Sequence, residues 1–468
     1  MRKKRLHIKV GLLALLGVYM GNVQAQYNVS INLPQANIQS GADFKQTSSV
    51  GDYSYLLIAL IPSIYAMSTQ GNFSSSTSTH TVPLSVAYLK LNQIGGVNLL
   101  SSVTEAQLST SSSLLVSSLL GITLSKGAIL MDFRVATSSH TWLAGSYKTG
   151  LRLTAQGILG GTITPQDRDV SITVPAFIAA PSTISTTSLL VNDLNYFRAP
   201  AGISSNKIVS ISTTVPYIPT LRTSSSQFTF STTLPYNNPP VSPVSDVAVS
   251  LSGVSTATAI ASLSTTDQAL TTSSGIAVSS NNQVLTNTFS VSGSKLKSDF
   301  VQAGTYRVPL VYSWTGLPAN PAQASGNGTL EIVVSDLGEL VANQQAVDLA
   351  FSTADHYKNG VSKDMPAHLK LSKTTPYNLY VRATSENFSS GTNTIPLNVM
   401  RIGPMAGETG INTITLSTTA QQLIQSANPA IDRNLNIQYR IPASETHQLL
   451  NKPAGNYSTS IIFSFVAP

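Results

Sequence analysis

A short motif, Ala-Gly-x-Tyr followed by an alternating apolar segment, occurs three times along this chain of 468 residues. The copies are Ala144-Gly145-Ser146-Tyr147, Ala303-Gly304-Thr305-Tyr306 and Ala454-Gly455-Asn456-Tyr457, so they lie 159 and 151 residues apart. The repeats of solenoids and propellers are only about 20–50 residues long. The longer interval therefore predicts a tandem array of complete domains that share one fold.

A second repeated pattern is interpreted as the strand that opens each unit. Val29-Ser30-Ile31-Asn32-Leu33-Pro34 is echoed by Val170-Ser171-Ile172-Thr173-Val174-Pro175, and more loosely by Leu330-Glu331-Ile332-Val333-Val334. Boundaries placed before this pattern predict a leader at 1–25 and units at 26–166, 167–326 and 327–468. Because the last motif copy lies close to residue 468, we expect no additional catalytic domain and no membrane anchor.

The segments between the motifs are typical of short β-strands. Apolar residues alternate with small polar ones, as in Thr459, Ile461, Phe463 and Phe465, and Gly, Pro, Asn and Ser interrupt the pattern. This predicts an all-β fold of three tandem antiparallel immunoglobulin-like β-sandwich domains after a cleaved signal peptide. In each motif the glycine suits a positive φ, and the tyrosine is expected to act as a tyrosine corner.

Residues 1–25 have the pattern of a secretory signal peptide. Basic residues up to Lys9 precede an apolar stretch from Val10 to Tyr19, and small residues precede Gln26. Without this leader the 27 basic residues fall to 22, against 20 acidic residues. This balance gives no basic patch and argues against nucleic acid as a partner. The sequence predicts export to the periplasm, the cell surface or the medium, and the absence of cysteine excludes disulfide bonds.

Enzyme motifs are present only as fragments. Lys148-Thr149-Gly150 and Ser292-Gly293-Ser294-Lys295 resemble two motifs of penicillin-binding serine enzymes, but they come in the wrong order and in different units. Asp167 and Asp169 supply two carboxylates at a predicted boundary, whereas Ca²⁺ takes six or more oxygen ligands. We therefore predict no catalytic activity, no cofactor and no metal site.

Arg222 and Arg382 occupy equivalent positions of two units, inside a shared pattern of Pro-Tyr, Arg and Phe. An arginine repeated in this way either contacts a ligand carboxylate or glycan, or forms a local ion pair on an outward strand face. The abundant Ser, Thr, Asn and Tyr side chains also suit a sugar surface. The candidate partners are therefore surface glycans, other envelope proteins and further copies of this chain.

The alternating strand after the third Ala-Gly-x-Tyr motif resembles the C-terminal strand of secreted bacterial pilus subunits assembled by a chaperone and an usher, including the spore-coat-U-like pilins. For that family the resemblance implies an incomplete sandwich that a donor strand from a neighbour completes. Gln26–Leu33 alternates as a donor strand does, but its echo at residue 170 favours a place in its own unit.

We expect an exported bacterial cell-surface or extracellular protein with a structural or adhesive role. One alternative is a pilus or fimbrial tip subunit assembled by donor-strand exchange. The other is a secreted hydrolase with an unrecognised site.

Overall fold

The structure, a computed structural model, describes residues 27–54, 62–99, 103–117, 126–156, 161–234, 240–258, 260–317 and 322–466. The predicted signal peptide lies outside these residues. The described chain is mostly β-strand with a few short helices, which confirms the predicted all-β class. Alternation explains the strands, since in Gly304–Gly316 every second side chain from Tyr306 to Trp314 is buried. The buried side chains form three separate hydrophobic cores along the chain.

The first core is built by strands β1 to β13. Their bounds are β1 (Val29–Asn32), β2 (Phe44–Ser54), β3 (Ser63–Ser68), β4 (Asn72–Ser75), β5 (Thr81–Pro83), β6 (Ala87–Ile94), β7 (Val97–Asn98), β8 (Ala106–Gln107), β9 (Ser113–Val116), β10 (Gly127–Val135), β11 (Gly145–Gln156), β12 (Thr162–Thr164) and β13 (Asp167–Val174). One sheet has the order β1-β13-β11-β3-β9, with β4 and β5 beside β11, and the other has the order β12-β2-β10-β6-β7, with β8 beside β6. The helices are Gln35–Ser40 and the short 3-10 helices Leu84–Val86 and Thr137–Ser139.

The second core is built by strands β14 to β24. Their bounds are β14 (Ile178–Ala179), β15 (Thr187–Val191), β16 (Ile203–Thr213), β17 (Tyr217–Thr223), β18 (Thr229–Ser231), β19 (Ala248–Ser252), β20 (Ala261–Ser262), β21 (Gln268–Ala269), β22 (Asn282–Val291), β23 (Gly304–Gly316) and β24 (Gln323–Val334). One sheet has the order β14-β16-β22-β19-β20, and the other has the order β15-β24-β23-β17-β21, with β18 beside β23. The helices are Asn195–Arg198, Gly293–Asp299 and the 3-10 helix Val244–Asp246.

The third core is built by strands β25 to β34. Their bounds are β25 (Gly338–Ala342), β26 (Gly360–Lys373), β27 (Tyr377–Ala383), β28 (Asn387–Ser390), β29 (Asn393–Pro396), β30 (Arg401–Pro404), β31 (Ile414–Thr415), β32 (Gln421–Ala427), β33 (Ala430–Pro442) and β34 (Ile461–Val466). The sheets have the orders β25-β26-β33-β30-β31, β32-β27-β34 and β28-β29. The helices are Ala354–Asn359 and the 3-10 helices Leu397–Val399 and Ala443–Leu449.

Strand pairing corrects the interpretation of the second repeated pattern. The strand β13, which was expected to open the second unit, pairs with β1 and β11 and contributes Val170, Ile172 and Val174 to the first core. In the same way β24 pairs with β23 and β15 and contributes its apolar residues to the second core. The predicted divisions at 166–167 and 326–327 therefore fall at or within the last strand of a core. Both β1 and β15 pair with these strands in parallel, so the sheets are not purely antiparallel.

An amide joins the first core to the second. Asn281, in the second unit, accepts a hydrogen bond from the Trp142 backbone N–H at 2.7 Å and donates to the Trp142 carbonyl at 2.8 Å. It also donates to the Thr213 carbonyl of its own unit at 2.8 Å. Both Asn281 and Trp142 are buried. This joint is therefore a neutral, buried hydrogen-bond network.

A carboxylate joins the second core to the third. Asp432 receives ion pairs from Arg198 at 2.9 Å and Lys297 at 3.2 Å in the second unit, and from Lys370 at 3.1 Å in the third. Burial by itself would raise the pKa of Asp432, but hydrogen bonds from these cations hold it well below its usual range. The second joint is therefore ionic.

Candidate strand-binding site

The Ala-Gly-x-Tyr motif lies just before one strand of each unit, which is β11, β23 or β34. Gly145 and Gly304 both have φ of +151°, a conformation that glycine adopts without strain. In all three copies the tyrosine hydroxyl donates to the carbonyl four residues upstream, at 2.9, 3.0 and 2.9 Å. A tyrosine that bonds back to the upstream backbone is the geometry expected for a tyrosine corner. Gly455 in the third copy does not have a positive φ, which corrects the expectation for that glycine, and the strand there begins only at Ile461. The motif therefore opens β11 and β23 directly and precedes β34; these three strands are here called the closing strands.

In the first two units the closing strand has a neighbour on each side. On one side β11 pairs with β3, and β23 pairs with β17. On the other side β11 pairs with β13 in antiparallel register, with Gly145 opposite Val174 and Tyr147 opposite Ile172. The strands β23 and β24 have the same register, with Gly304 opposite Val334 and Tyr306 opposite Ile332. We call β13 and β24 the completing strands, because each fills the same place in its sheet.

The third closing strand has only one of these neighbours. β34 pairs with β27 along residues 461–466, and the sheet ends there in the order β32-β27-β34. No strand among the described residues pairs with the outer edge of β34. This leaves a row of backbone N–H and C=O groups that is a template for another strand.

The segment at residues 344–352 lies where the far side of this gap is expected. The first unit begins with a strand, a short helix and a long strand, which are β1, Gln35–Ser40 and β2. The second unit has the same order in β15, Asn195–Arg198 and β16, after the short β14. In the third unit residues 344–352 precede the helix Ala354–Asn359 and β26 but form no strand. The equivalents of β1 and β15 require a completing strand to pair with. Without it, this segment has no ladder partner.

The side chains along the gap are apolar and incompletely covered. Ile461, Phe463 and Phe465 point towards the third core but are only half-buried, as are Val347 and Phe351 from the facing segment. The corresponding inward positions of β11 and β23 are fully buried except Ala155, near the end of β11. We call this half-buried row of large apolar side chains, together with the open backbone edge beside it, the groove.

His368 lies beneath this groove. Its ring packs edge-on against Phe463, with centroids 6.1 Å apart, and its Nε2 lies 2.9 Å from the Tyr439 hydroxyl. Its Nδ1 lies 3.3 Å from Gln344 Oε1, which connects it to the segment on the far side of the gap. Burial lowers the pKa of His368 below its ordinary value, so the ring is neutral at pH 7. Acidification therefore places a charge under the groove.

The repeated arginines are not brought together. Arg222 is partly exposed and pairs with Asp267 of its own unit at 3.5 Å. This is the local ion pair that was one of the two roles predicted for it. Arg382 is exposed on β27 opposite Ile462, in a different unit. The structure gives neither residue a ligand-binding role, so a glycan contact at either remains only a prediction.

The isolated enzyme-like and acidic residues are held by local contacts. Lys148 pairs with Asp169 at 2.6 Å and Arg152 pairs with Asp167 at 2.7 Å, both across β11 and β13. Ser292 caps the helix Gly293–Asp299 by accepting from the Lys295 backbone N–H. Over the described residues there is no group of three or more His, Asp or Glu side chains placed to hold a metal ion. None of the helices in that part of the chain is long and apolar enough to cross a membrane.

Sequence reasoning did not identify the open edge of β34. The signal lies in the Val-rich patterns at 170–174 and 330–334, which follow the first two Ala-Gly-x-Tyr motifs. They were interpreted as openings of the next unit, so their pairing with the closing strands was missed. A period-two pattern identifies a strand but not its neighbour.

Comparisons with known proteins found similarity only among solved structures. No protein-family description and no curated protein matches the chain. The similar structures include CfaE, the adhesive subunit of CFA/I fimbria of enterotoxigenic Escherichia coli, at 11% identity and a TM-score of 0.28, covering 66% of this chain and 98% of that one. A CsuC–CsuE chaperone–tip adhesion subunit complex of Acinetobacter baumannii is 15% identical with a TM-score of 0.30 and coverages of 62% and 99%. The CupB6 tip adhesin of Pseudomonas aeruginosa is 9% identical with a TM-score of 0.27 and coverages of 62% and 91%. The first is described as an adhesive fimbrial subunit, the second as a tip adhesion subunit of archaic chaperone–usher pili, and the third as a tip adhesin.

Proposed function

We propose that this chain is an exported adhesive or structural subunit of a bacterial surface fibre, and that its third unit is completed by a strand from another subunit. The observation that carries this proposal is the unpaired edge of β34 beside half-buried Ile461, Phe463 and Phe465. Addition of an extended strand satisfies the backbone groups of such an edge and covers its apolar side chains. The two completing strands inside the same chain show what such a strand looks like.

The order of the units supports a terminal position in the fibre. Val29–Asn32, which alternates as a donor strand does, pairs with β13 inside its own unit. The described chain therefore has a place to accept a strand and uses its own first strand internally. A subunit that accepts but does not donate occupies the tip of a fibre. The domains that we propose are immunoglobulin-like sandwiches at 27–174, 175–334 and 335–466, with boundaries moved to follow the strand pairing.

The test is to supply the missing strand as a peptide. A peptide copying Gln323–Asp336 contains the inward residues of β24, and its Gly326 lies opposite Tyr312, the position that Phe463 occupies in the third unit. We expect saturable binding of one peptide per chain, with slower amide hydrogen exchange at residues 461–466 and unchanged exchange in β11 and β23. A scrambled peptide of the same composition is the control.

Two results would contradict the proposal. The first is a peptide that binds without slowing exchange at residues 461–466, or does not bind at all. The second is a free full-length chain in which residues 461–466 already exchange as slowly as β11 and β23, because another part of the same chain then covers the edge.

A further inference from the structure

The two joints inside the chain share one hydrogen-bond pattern. At the first joint, Thr214 Oγ1 donates to the Pro175 carbonyl at 2.7 Å and accepts from the Phe177 N–H at 3.1 Å, and the Thr214 N–H donates to the Phe177 carbonyl at 3.2 Å. The Ala144 N–H of the first motif then donates to the Thr214 carbonyl at 2.9 Å. One buried threonine therefore connects a motif, a linker and the next unit.

The second joint repeats these bonds with equivalent residues. Thr374 Oγ1 donates to the Ser335 carbonyl at 2.8 Å and accepts from the Leu337 N–H at 2.7 Å, and the Thr374 N–H donates to the Leu337 carbonyl at 3.0 Å. The Ala303 N–H of the second motif donates to the Thr374 carbonyl at 2.7 Å. Both threonines are almost fully buried. The agreement of all four bonds makes this a built joint rather than an incidental contact.

The order of chain segments at each joint is also the same. A completing strand ends opposite the motif glycine, at Val174 or Val334. The third residue after it is apolar, Phe177 or Leu337, and it pairs with the threonine of the unit that follows. The end of a completing strand and the body of the next unit therefore both contact the motif.

The third motif keeps the tyrosine bond of the other two, but no following unit contacts it among the described residues. Tyr457 makes the same hydroxyl bond to the carbonyl four residues upstream, whereas Gly455 lacks the positive φ of Gly145 and Gly304. Ala454 and Gly455 are exposed, and Leu450, four residues before Ala454, is 54% exposed. No hydrogen bond of the Ala454 N–H is formed with the described residues. This donor is equivalent to the ones that hold Thr214 and Thr374.

We propose that the surface formed by residues 450–457 is a docking site for the folded body of the subunit whose strand fills the groove. That partner is a β-sandwich subunit in which the third residue after the donor strand is apolar and a buried threonine turn offers its carbonyl to the Ala454 N–H. This inference rests on the proposed function, because the strand delivers the body to this surface. The contact between subunits then repeats the joints within this chain, and the fibre continues the line of the three units.

The experiment adds the partner to the full chain. Residues 323–468, which hold β24, its linker and a second copy of the third unit, are appended after Pro468. Hydrogen exchange is read separately at residues 461–466 and at the Ala454 amide. We expect slow exchange at both places in the four-unit chain. With the free 323–336 peptide on the normal chain, we expect slow exchange at 461–466 only.

Two variants of the four-unit chain separate docking from strand filling. Thr374→Val in the appended copy keeps the carbonyl that accepts from the Ala454 N–H but removes the Oγ1 bonds that hold this turn in place. Loss of about 1.4 kcal/mol of docking free energy, the value of one hydrogen bond, should speed Ala454 exchange by about tenfold while 461–466 stay protected. Ala454→Ser keeps the N–H and should leave that exchange slow. If the Ala454 amide exchanges equally fast in the three-unit and four-unit chains, the docking surface is refuted. If residues 461–466 are still protected in that case, strand completion stands and only the docking surface is wrong. If residues 461–466 are unprotected both in the four-unit chain and with the peptide, the proposed function and the docking surface are both refuted.

Discussion

Replacing one inward residue of the peptide tests whether the groove of the third unit binds a strand in the same register as the first two units bind their completing strands. Ile332 is fully buried in β24 opposite Tyr306, whereas its neighbour Val333 faces the other side of the sheet and is half-buried. A peptide copying residues 323–336 with Ile332→Ala loses three methyl or methylene carbons from the groove face. The same peptide with Val333→Ala loses a similar group from the opposite face and serves as the matched control.

The expected magnitude follows from burial in the template. Truncating a fully buried isoleucine to alanine costs about 2–5 kcal/mol. Since every 1.4 kcal/mol is tenfold in affinity, even the lower value weakens binding by about 30-fold. A change at a half-buried outward position costs less than about 1 kcal/mol, which is about fivefold or less.

Titration of the labelled peptides into the full chain, followed by fluorescence anisotropy, measures both values. Equal losses for the two peptides, or a larger loss for Val333→Ala, would refute the inferred register of the groove. A loss below about threefold for Ile332→Ala would show that the peptide does not bury this side chain, and the strand-completion reasoning would then be wrong.

Three further predictions concern the residues that support the groove and the joints. Burial lowers the pKa of His368 from 6.5, so the unfolded chain binds this proton before the folded chain does. The free energy of unfolding of the third unit should therefore fall as pH drops below about 6.5 and level off below the folded pKa. His368→Gln should flatten this dependence in melts between pH 7 and 5, and an unchanged slope would contradict the prediction. Asp432→Asn should weaken the second joint by about 1–3 kcal/mol and broaden the distribution of interatomic distances in small-angle scattering. The control Glu386→Gln, at an exposed residue, should leave that distribution unchanged. Identical scattering curves for the two variants would count against an ionic joint. Asn281→Ala leaves buried backbone groups unpaired and should lower the stability of the first joint by about 2–3 kcal/mol in calorimetry. The control is Asn282→Ala, which loses one exposed hydrogen bond. Equal melting profiles for the two variants would show that the Asn281 amide is dispensable.

Much of the fold follows from local sequence. The alternation in residues 304–316 and 461–466 identified strands and the face of each that points to the core, and Ala-Gly-x-Tyr identified a repeated motif whose tyrosine bonds back to the backbone. These features depend on a few neighbouring residues, so a single sequence displays them. The echo of Val29–Asn32 at residue 170 predicted a strand that stays in its own unit, and the pairing of β1 inside the first core confirms this.

The neighbours of each strand belong to the tertiary structure. Val29 pairs with Val170, 141 residues away, and the pattern at either position is compatible with many partners. A sequence period of two states which face of a strand is buried but not which strand lies beside it, because backbone ladder bonds are the same for every residue. For this reason the strand at 167–174 was assigned to the wrong unit, and the open edge of β34 became visible only when the strands of the three units were compared in space.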